Sequence, residues 1–217
     1  MDSVTKAVRV LIVDDHPMVR EGLRSMLGAD GIEVVGEAGT AADAVQMAER
    51  VRPDVVLLDL ELPDAGGLAA LADIKVRAPR TSVLVVTMHD EPRLVRQAVE
   101  GGAAGYVLKG VGRRELLASV RAVRDGESVV DPALLRSLVA GTPADARPGA
   151  STLEPLTAVE RDVLRLVARG LTNREIANRM HCSVATAKKY LQRILGKLDV
   201  SDRTQAAVEA IRAGLLD

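Results

Sequence analysis

Five short apolar runs recur through the first part of the chain: VRVLIV at 8–13, IEVV at 32–35, DVVLL at 54–58, SVLVV at 82–86 and GYVL at 105–108. Amphipathic segments lie between and after them, near 17–27, 40–50, 67–77, 91–100 and 112–124. Strands that are apolar along their whole length are buried on both faces, the condition of a parallel sheet covered by helices on each side. The expected fold of this part is therefore α/β, a five-stranded parallel doubly wound sheet. Such a sheet presents its functional groups in loops at the carboxyl ends of the strands.

The alternation ends near residue 130. Residues 131–140 (DPALLRSLVA) are expected to form a short helix with Pro132 in its first turn, followed by GTPADARPGAST at 141–152, a linker composition. Beyond it the pattern is helical only. Thr157 with Glu160, and Thr172 with Glu175, have the spacing of capping boxes. Gly170 falls where a left-handed residue ends the first of these helices. Ser183 is the expected N-cap of a third helix, and Ser201 of a fourth near 202–214. The organisation expected is 1–130, a linking segment 131–152, and an all-α four-helix domain at 153–217.

Composition narrows the function classes. The chain of 217 residues has no Phe or Trp and two tyrosines, Tyr106 and Tyr190. Stacking platforms for single-stranded nucleic acid are therefore not expected. Cys182 is the single cysteine, which excludes an intrachain disulfide and a CxxC metal pattern. No apolar stretch approaches a membrane span and the N-terminus lacks a signal-peptide pattern, so a cytoplasmic setting without membrane contact is expected. Charge is uneven: residues 1–131 carry 16 basic and 21 acidic side chains, residues 151–217 carry 11 and 8. A mildly basic C-terminal end points toward nucleic acid.

Four of the five runs lead to a polar residue that an apolar sheet does not otherwise need there. Asp14 and Asp15 follow the first, Asp59 the third, Thr87 the fourth and Lys109 the fifth. In a parallel sheet those ends converge on one edge. Clustered carboxylates repel one another and need a compensating cation, which a hard divalent ion such as Mg2+ provides. Lys109 adds an ammonium and Thr87 a hydroxyl. A carboxylate nucleophile, a divalent ion and a cation together suit phosphoryl transfer, whose transition-state charge sits on the equatorial oxygens. Singly, each residue has a plainer reading: a helix cap for Asp14 and Asp15, a turn with Pro63 and Gly66 for Asp59, a loop charge for Lys109. Their joint placement favours one site.

The stretches LIVDDHPMVREGL, PDVVLLDLELPDAGG, VLVVTMHD and GAAGYVLKG resemble response-regulator receiver domains over residues 7–125. The resemblance implies a flavodoxin-like fold in which Asp59 accepts a phosphoryl group from a sensor histidine kinase or a small phosphodonor. It implies that Asp15, Asp59 and the Glu61 backbone carbonyl hold Mg2+, with Asp14 assisting through water. Thr87 and Lys109 would bind the phosphoryl oxygens, and Tyr106 would be the aromatic that rotates with Thr87. Gly110 stands where many receivers have proline, and Leu62 replaces the commoner methionine.

In the last part, Val184, Ala187, Leu191, Ile194, Leu195 and Leu198 recur at helical spacing and are expected to face the core. Lys188, Lys189, Gln192, Arg193 and Lys197 occupy the other side, as a major-groove helix requires. Residues 156–217 resemble the LuxR-type helix-turn-helix domain of NarL/FixJ-type regulators. That resemblance implies double-stranded DNA as partner, bound as paired promoter half-sites by a homodimer when active, with RNA polymerase a further partner. Thr186, Lys188, Lys189, Gln192, Arg193 and Lys197 are the expected DNA contacts. The core of the recognition segment reads Thr186-Ala187-Lys188-Lys189-Tyr190 where relatives commonly read Thr-Val-Lys-x-His. Tyr190 is either a half-buried core residue or a phosphate contact, the first being favoured. Ala206, Ala207, Ala210, Ile211 and Leu215 serve either dimerisation, as the resemblance implies, or packing within the domain.

The expected function is a two-component response regulator and transcription factor, with Asp59 phosphorylation controlling dimerisation and sequence-specific DNA binding. It is expected to accept and release a phosphoryl group without being a turnover enzyme. Two alternatives stand beside it. One is an orphan DNA-binding regulator controlled without phosphorylation. The other is a Mg2+-dependent aspartyl phosphotransferase, in which Glu61 could orient a water.

Overall fold

The computed structural model describes residues 7–28, 31–130 and 156–215; the helix expected at 131–140 and the linker at 141–152 lie outside them. The chain divides into two compact units at Asp125–Gly126.

In the first unit, β1 (Val8–Val13), β2 (Ile32–Ala38), β3 (Val55–Leu58), β4 (Ser82–Thr87) and β5 (Gly105–Leu108) form one sheet in the order β2-β1-β3-β4-β5. Every pairing is parallel. The connecting helices are α1 (Pro17–Leu27), α2 (Ala41–Val51), α3 (Gly67–Arg77), α4 (Pro92–Glu100) and α5 (Arg113–Arg124). Alternate strand residues divide the core. Leu11, Val13, Val56, Leu58, Val83 and Val85 pack with Ala44, Ala48, Leu71, Ile74 and Ala98 of α2, α3 and α4. The intervening Val10, Ile12, Leu57 and Leu84 are equally buried, so both faces are covered as their unbroken apolar runs require. With each buried Val or Leu contributing about 1.5–3 kcal/mol, this aliphatic core needs no Phe or Trp.

β2 continues three residues past its expected end. The register against β1 jumps from Val10↔Val34 to Leu11↔Gly36, leaving Val35 as a bulge. The bulge interrupts the apolar pattern, and a Cβ on Gly36 beyond it would press on Sδ of the flexible Met47 side chain.

The second unit contains α6 (Ala158–Ala168), α7 (Asn173–Arg179), α8 (Val184–Leu198) and α9 (Arg203–Arg212). Both capping boxes form: Thr157 and Thr172 accept from the N–H groups of Glu160 and Glu175, whose carboxylates reach back to the N-cap N–H groups. These backbone bonds hold the Glu160 and Glu175 carboxyls below the usual range. Gly170 is left-handed with φ of 79°, and Ser183 caps α8 through the Thr186 N–H. The last cap differs from expectation. Asp202, not Ser201, accepts from the Thr204 and Gln205 N–H groups, and the Ser201 hydroxyl bonds Asp202 and Gln205 instead. A carboxylate one residue nearer the helix outcompetes a hydroxyl for the positive end of the dipole. Arg203, 4% exposed, ties this end of α9 to the turn before α7 through Asn173 Oδ1 at 3.0 Å and the Leu171 carbonyl. Burial pushes its guanidinium down to about 10.

Candidate functional site

The sheet's own hydrogen-bond ladder, extended one residue past each strand, places the acidic site. Asp14 N–H donates to the Ala38 carbonyl at 3.1 Å, Asp59 N–H to Val13 at 2.9 Å, and Lys109 N–H to Thr87 at 2.8 Å. Asp14, Asp59 and Thr87 are buried at 1%, 2% and 0% exposure. Lys109 Nζ lies 2.7 Å from Asp14 Oδ2 and 2.7 Å from Asp59 Oδ2, donating a hydrogen bond to the latter. Burial opposes the Lys109 ammonium, yet its bonds to Asp14 and Asp59 prevail and raise its pKa above the ordinary lysine value.

The donor set suits a hard cation. Asp59 Oδ1 is buried and meets no hydrogen-bond donor among the described residues. Asp14 Oδ1 accepts the His16 N–H at 2.9 Å, and Asp15 Oδ1 lies 2.5 Å from His16 Nδ1. Ligand atoms of Asp14, Asp15 and His16 lie within 4.8 Å of one another. Three carboxyl groups against one ammonium leave an excess of formal negative charge. A buried oxygen without a donor beside that excess is the situation a divalent cation relieves.

Thr87 and Tyr106 meet through a residue that sequence reasoning passed over. The His89 N–H donates to Thr87 Oγ1 at 3.4 Å, and the Tyr106 hydroxyl donates to the His89 carbonyl at 2.9 Å. Burial pushes that hydroxyl up to about 12, so it stays a donor at neutral pH. The His89 imidazole reaches Glu61: Nε2 lies 2.7 Å from Glu61 Oε1, and Nδ1 lies 3.4 Å from Glu91 Oε2. The Glu61 side chain is thus turned to His89. The one signal for this pair was position, each residue standing two places after a strand-end group.

The Glu61 hydrogen bond raises the His89 pKa above its ordinary 6.5, burial opposing and Glu91 adding to the rise. A raised folded-state pKa means the pair is fully formed below about 6.5 and is lost as pH rises through the elevated value. In an NMR titration of the metal-free chain, the His89 midpoint is expected above 6.5 and moves back toward it in Glu61→Gln. Equal midpoints in the two proteins would remove Glu61 as the cause.

On α8 the expected division holds in outline, with Leu195 and Leu198 only partly buried and with Val184 and Lys197 departing from it. Ala187, Leu191 and Ile194 are buried, and Lys189, Gln192 and Arg193 are exposed. Lys188 and Tyr190 are half-buried. Thr186 lies in the first turn with its hydroxyl 2.9 Å from Ser183 Oγ. Val184, expected in the core, is 42% exposed, because a residue one place after the cap projects past the helix end. Lys197, expected at the DNA surface, turns inward: Nζ is 3.0 Å from Glu160 Oε2 and its side chain is 15% exposed. Its long stem crosses the groove between α8 and α6 to meet a carboxylate already fixed by the capping box. Ala206, Ala207 and Ala210 of α9 are buried within the second unit, where α9 packs on α6.

A doubly wound sheet with a cluster of acidic groups at its carboxyl edge, followed in the chain by a capped helix-turn-helix, has the architecture of a receiver domain followed by a DNA-binding domain. Residues 10–121 match the response regulator receiver domain, and residues 154–210 match the luxR family of bacterial regulatory proteins. The chain is 41% identical over 207 residues to the DNA-binding transcriptional activator DevR/DosR of Mycobacterium tuberculosis, covering 94% of each. The receiver domain of the response regulator NarL from Mycobacterium tuberculosis superposes with a TM-score of 0.55 at 38% identity, covering 56% of this chain and 99% of that one. A structure of two RcsB dimers bound to two parallel DNAs gives a TM-score of 0.55 at 25% identity, covering 95% of this chain and 98% of that one. The chain belongs to the response regulators that carry a luxR-type C-terminal domain. That family consists of transcriptional regulators and not of turnover enzymes, which sets aside the phosphotransferase alternative. Among the described residues no helix is long and apolar enough to cross a membrane.

Proposed function

We propose that this chain is a cytoplasmic two-component transcription regulator whose DNA binding is controlled by phosphorylation of Asp59. The observation that carries the proposal is the Lys109 ammonium set 2.7 Å from both Asp14 and Asp59, beside an Asp59 Oδ1 that meets no donor among the described residues. In the transfer, an Asp59 carboxylate oxygen attacks the phosphorus of a kinase phosphohistidine. The P–N bond breaks, its electron pair returns to the imidazole nitrogen, and an acyl phosphate forms. Lys109 leaves its ion pair with Asp14 and Asp59 to meet the phosphoryl oxygens, and Thr87 donates its hydroxyl to them. Mg2+, held by Asp15, Asp59 and the Glu61 carbonyl with Asp14 assisting through water, would neutralise the charge on those oxygens.

Thr87 moving toward a phosphoryl group withdraws the oxygen that now accepts the His89 N–H. The His89 backbone also anchors the Tyr106 hydroxyl, so both bonds change together and Tyr106 is released to turn. In the output unit, Lys189, Gln192 and Arg193 supply the groove-facing surface, with Thr186 and Lys188 at its start and edge. A phosphorylated homodimer would present two such helices to paired half-sites, and the similar RcsB structure contains dimers bound to DNA. RNA polymerase is the further partner through which occupancy of a promoter would alter transcription. The test is genome-wide mapping of bound DNA for wild-type and Asp59→Asn chains under conditions that activate the kinase. Wild-type occupancy of discrete promoter sites that the variant leaves empty is expected. Identical maps would overturn phosphorylation control.

A further inference from the structure

The N-terminus of α2 is satisfied from two separate places. Thr40 Oγ1 accepts the Asp43 N–H at 3.1 Å and donates to Asp43 Oδ2 at 2.8 Å, an ordinary local cap. The N–H groups of Ala41 and Ala42 go elsewhere. They donate to Asp64 Oδ1 at 2.8 Å and Asp64 Oδ2 at 3.0 Å. Asp64 lies in the loop between β3 and α3, far along the chain from α2 and five residues after Asp59. The two N–H groups hold its carboxyl below the usual aspartate range.

The same loop is fixed again at its base. Gly67 N–H donates to the Leu60 carbonyl at 2.9 Å. A Cβ on Gly67 would strike the Asp59 carbonyl oxygen and come within 2.6 Å of Leu60 Cα, so the chain closes here only with glycine. Between these two anchors sits Glu61, whose carbonyl is proposed as a metal ligand and whose side chain meets His89. Leu62 anchors the loop in the core between Glu61 and Pro63, while Glu61, Pro63, Asp64 and Ala65 are exposed.

We infer that Asp64 is a positioning residue for the phosphoryl-acceptor site, its carboxylate clasping the first two N–H groups of α2 and so fixing the loop that offers the Glu61 carbonyl. The inference rests on the proposed Mg2+ ligation. A purely structural cap would cost stability when removed and leave metal binding alone, and Thr40 provides that control. Thr40→Val removes a cap from the same helix without touching the loop.

The test uses the full chain and follows Mg2+ binding through amide NMR shifts, with melting temperature measured beside it. Asp64→Ala and Thr40→Val are both expected to lower the melting temperature, since each removes a cap from the same helix end. Asp64→Ala is expected to raise the Mg2+ midpoint about tenfold, the scale on which outer partners tune metal affinity. Asp64→Asn, which keeps one acceptor oxygen, recovers part of that loss, and Thr40→Val leaves the midpoint within about twofold. Equal midpoints for wild-type and Asp64→Ala overturn the positioning role alone. A wild-type chain with no Mg2+-dependent shifts overturns the ligation reading and this role together.

Discussion

An Asp59→Asn chain incubated with acetyl phosphate and a magnesium salt is expected to gain no phosphoryl group by intact mass, while the wild-type chain gains one. The amide keeps the shape of the side chain and removes the anionic nucleophile, so the loss is complete and not graded. Lys109→Ala tests the other half of the site and separates two roles of one cation. The nucleophile remains, so uptake persists, but the transferring phosphoryl loses a preorganised positive partner and slows by roughly 100-fold. The same change takes the ammonium from between Asp14 and Asp59. It leaves a more negative pocket, so Mg2+ binding is expected to tighten as phosphorylation slows. A Lys109→Ala chain that loses both in parallel would mean that the ammonium mainly holds the fold of the site. A phosphoryl group found on Asp59→Asn at another residue would displace Asp59 as the acceptor.

These four groups were legible in the sequence for a physical reason. In a parallel sheet the residue that ends or follows each strand lands at the same edge, and the strand ends could be read from where the apolar runs stop. Asp14, Asp59, Thr87 and Lys109 needed no more than that, and the backbone bonds from Asp14 to Ala38 and from Asp59 to Val13 show the rule at work. Capping boxes were legible because they depend on a spacing of three residues. What could not be read depended on the path of a loop or the reach of a long side chain. The Glu61–His89 pair spans two loops, and the Asp64 clasp joins residues 22 and 23 positions apart with no local signal at either end. The bulge at Val35 hid the last residues of β2 because an extra residue inverts the alternation beyond it. Lys197 lies on the charged side of α8 by periodicity alone, but periodicity is silent about a carboxylate 37 residues away that can draw it inward.

That last displacement yields the second large effect. Lys189→Ala and Arg193→Ala are each expected to weaken DNA binding by about 1–2 kcal/mol, roughly 5–30-fold. For whichever of them meets phosphate, the slope of log affinity against log salt should fall by about 0.9. Both side chains are exposed on the face of α8 opposite Ala187, Leu191 and Ile194. Lys197→Ala is expected to behave differently. It leaves the Glu160 carboxylate, 5% exposed as a side chain, without its cation while Thr157 still donates to it. The cost falls on folding, about 1–3 kcal/mol for a buried charged acceptor stripped of one partner, and the salt slope of DNA binding stays at the wild-type value. Fluorescence anisotropy on labelled duplex at several salt concentrations, with thermal melts of the same proteins, separates these outcomes. If Lys197→Ala flattens the salt slope as Lys189→Ala does and melts like the wild type, the side chain leaves Glu160 for phosphate in the complex. The ion pair to α6 would then be a resting position, and the DNA surface of α8 would extend along its whole length.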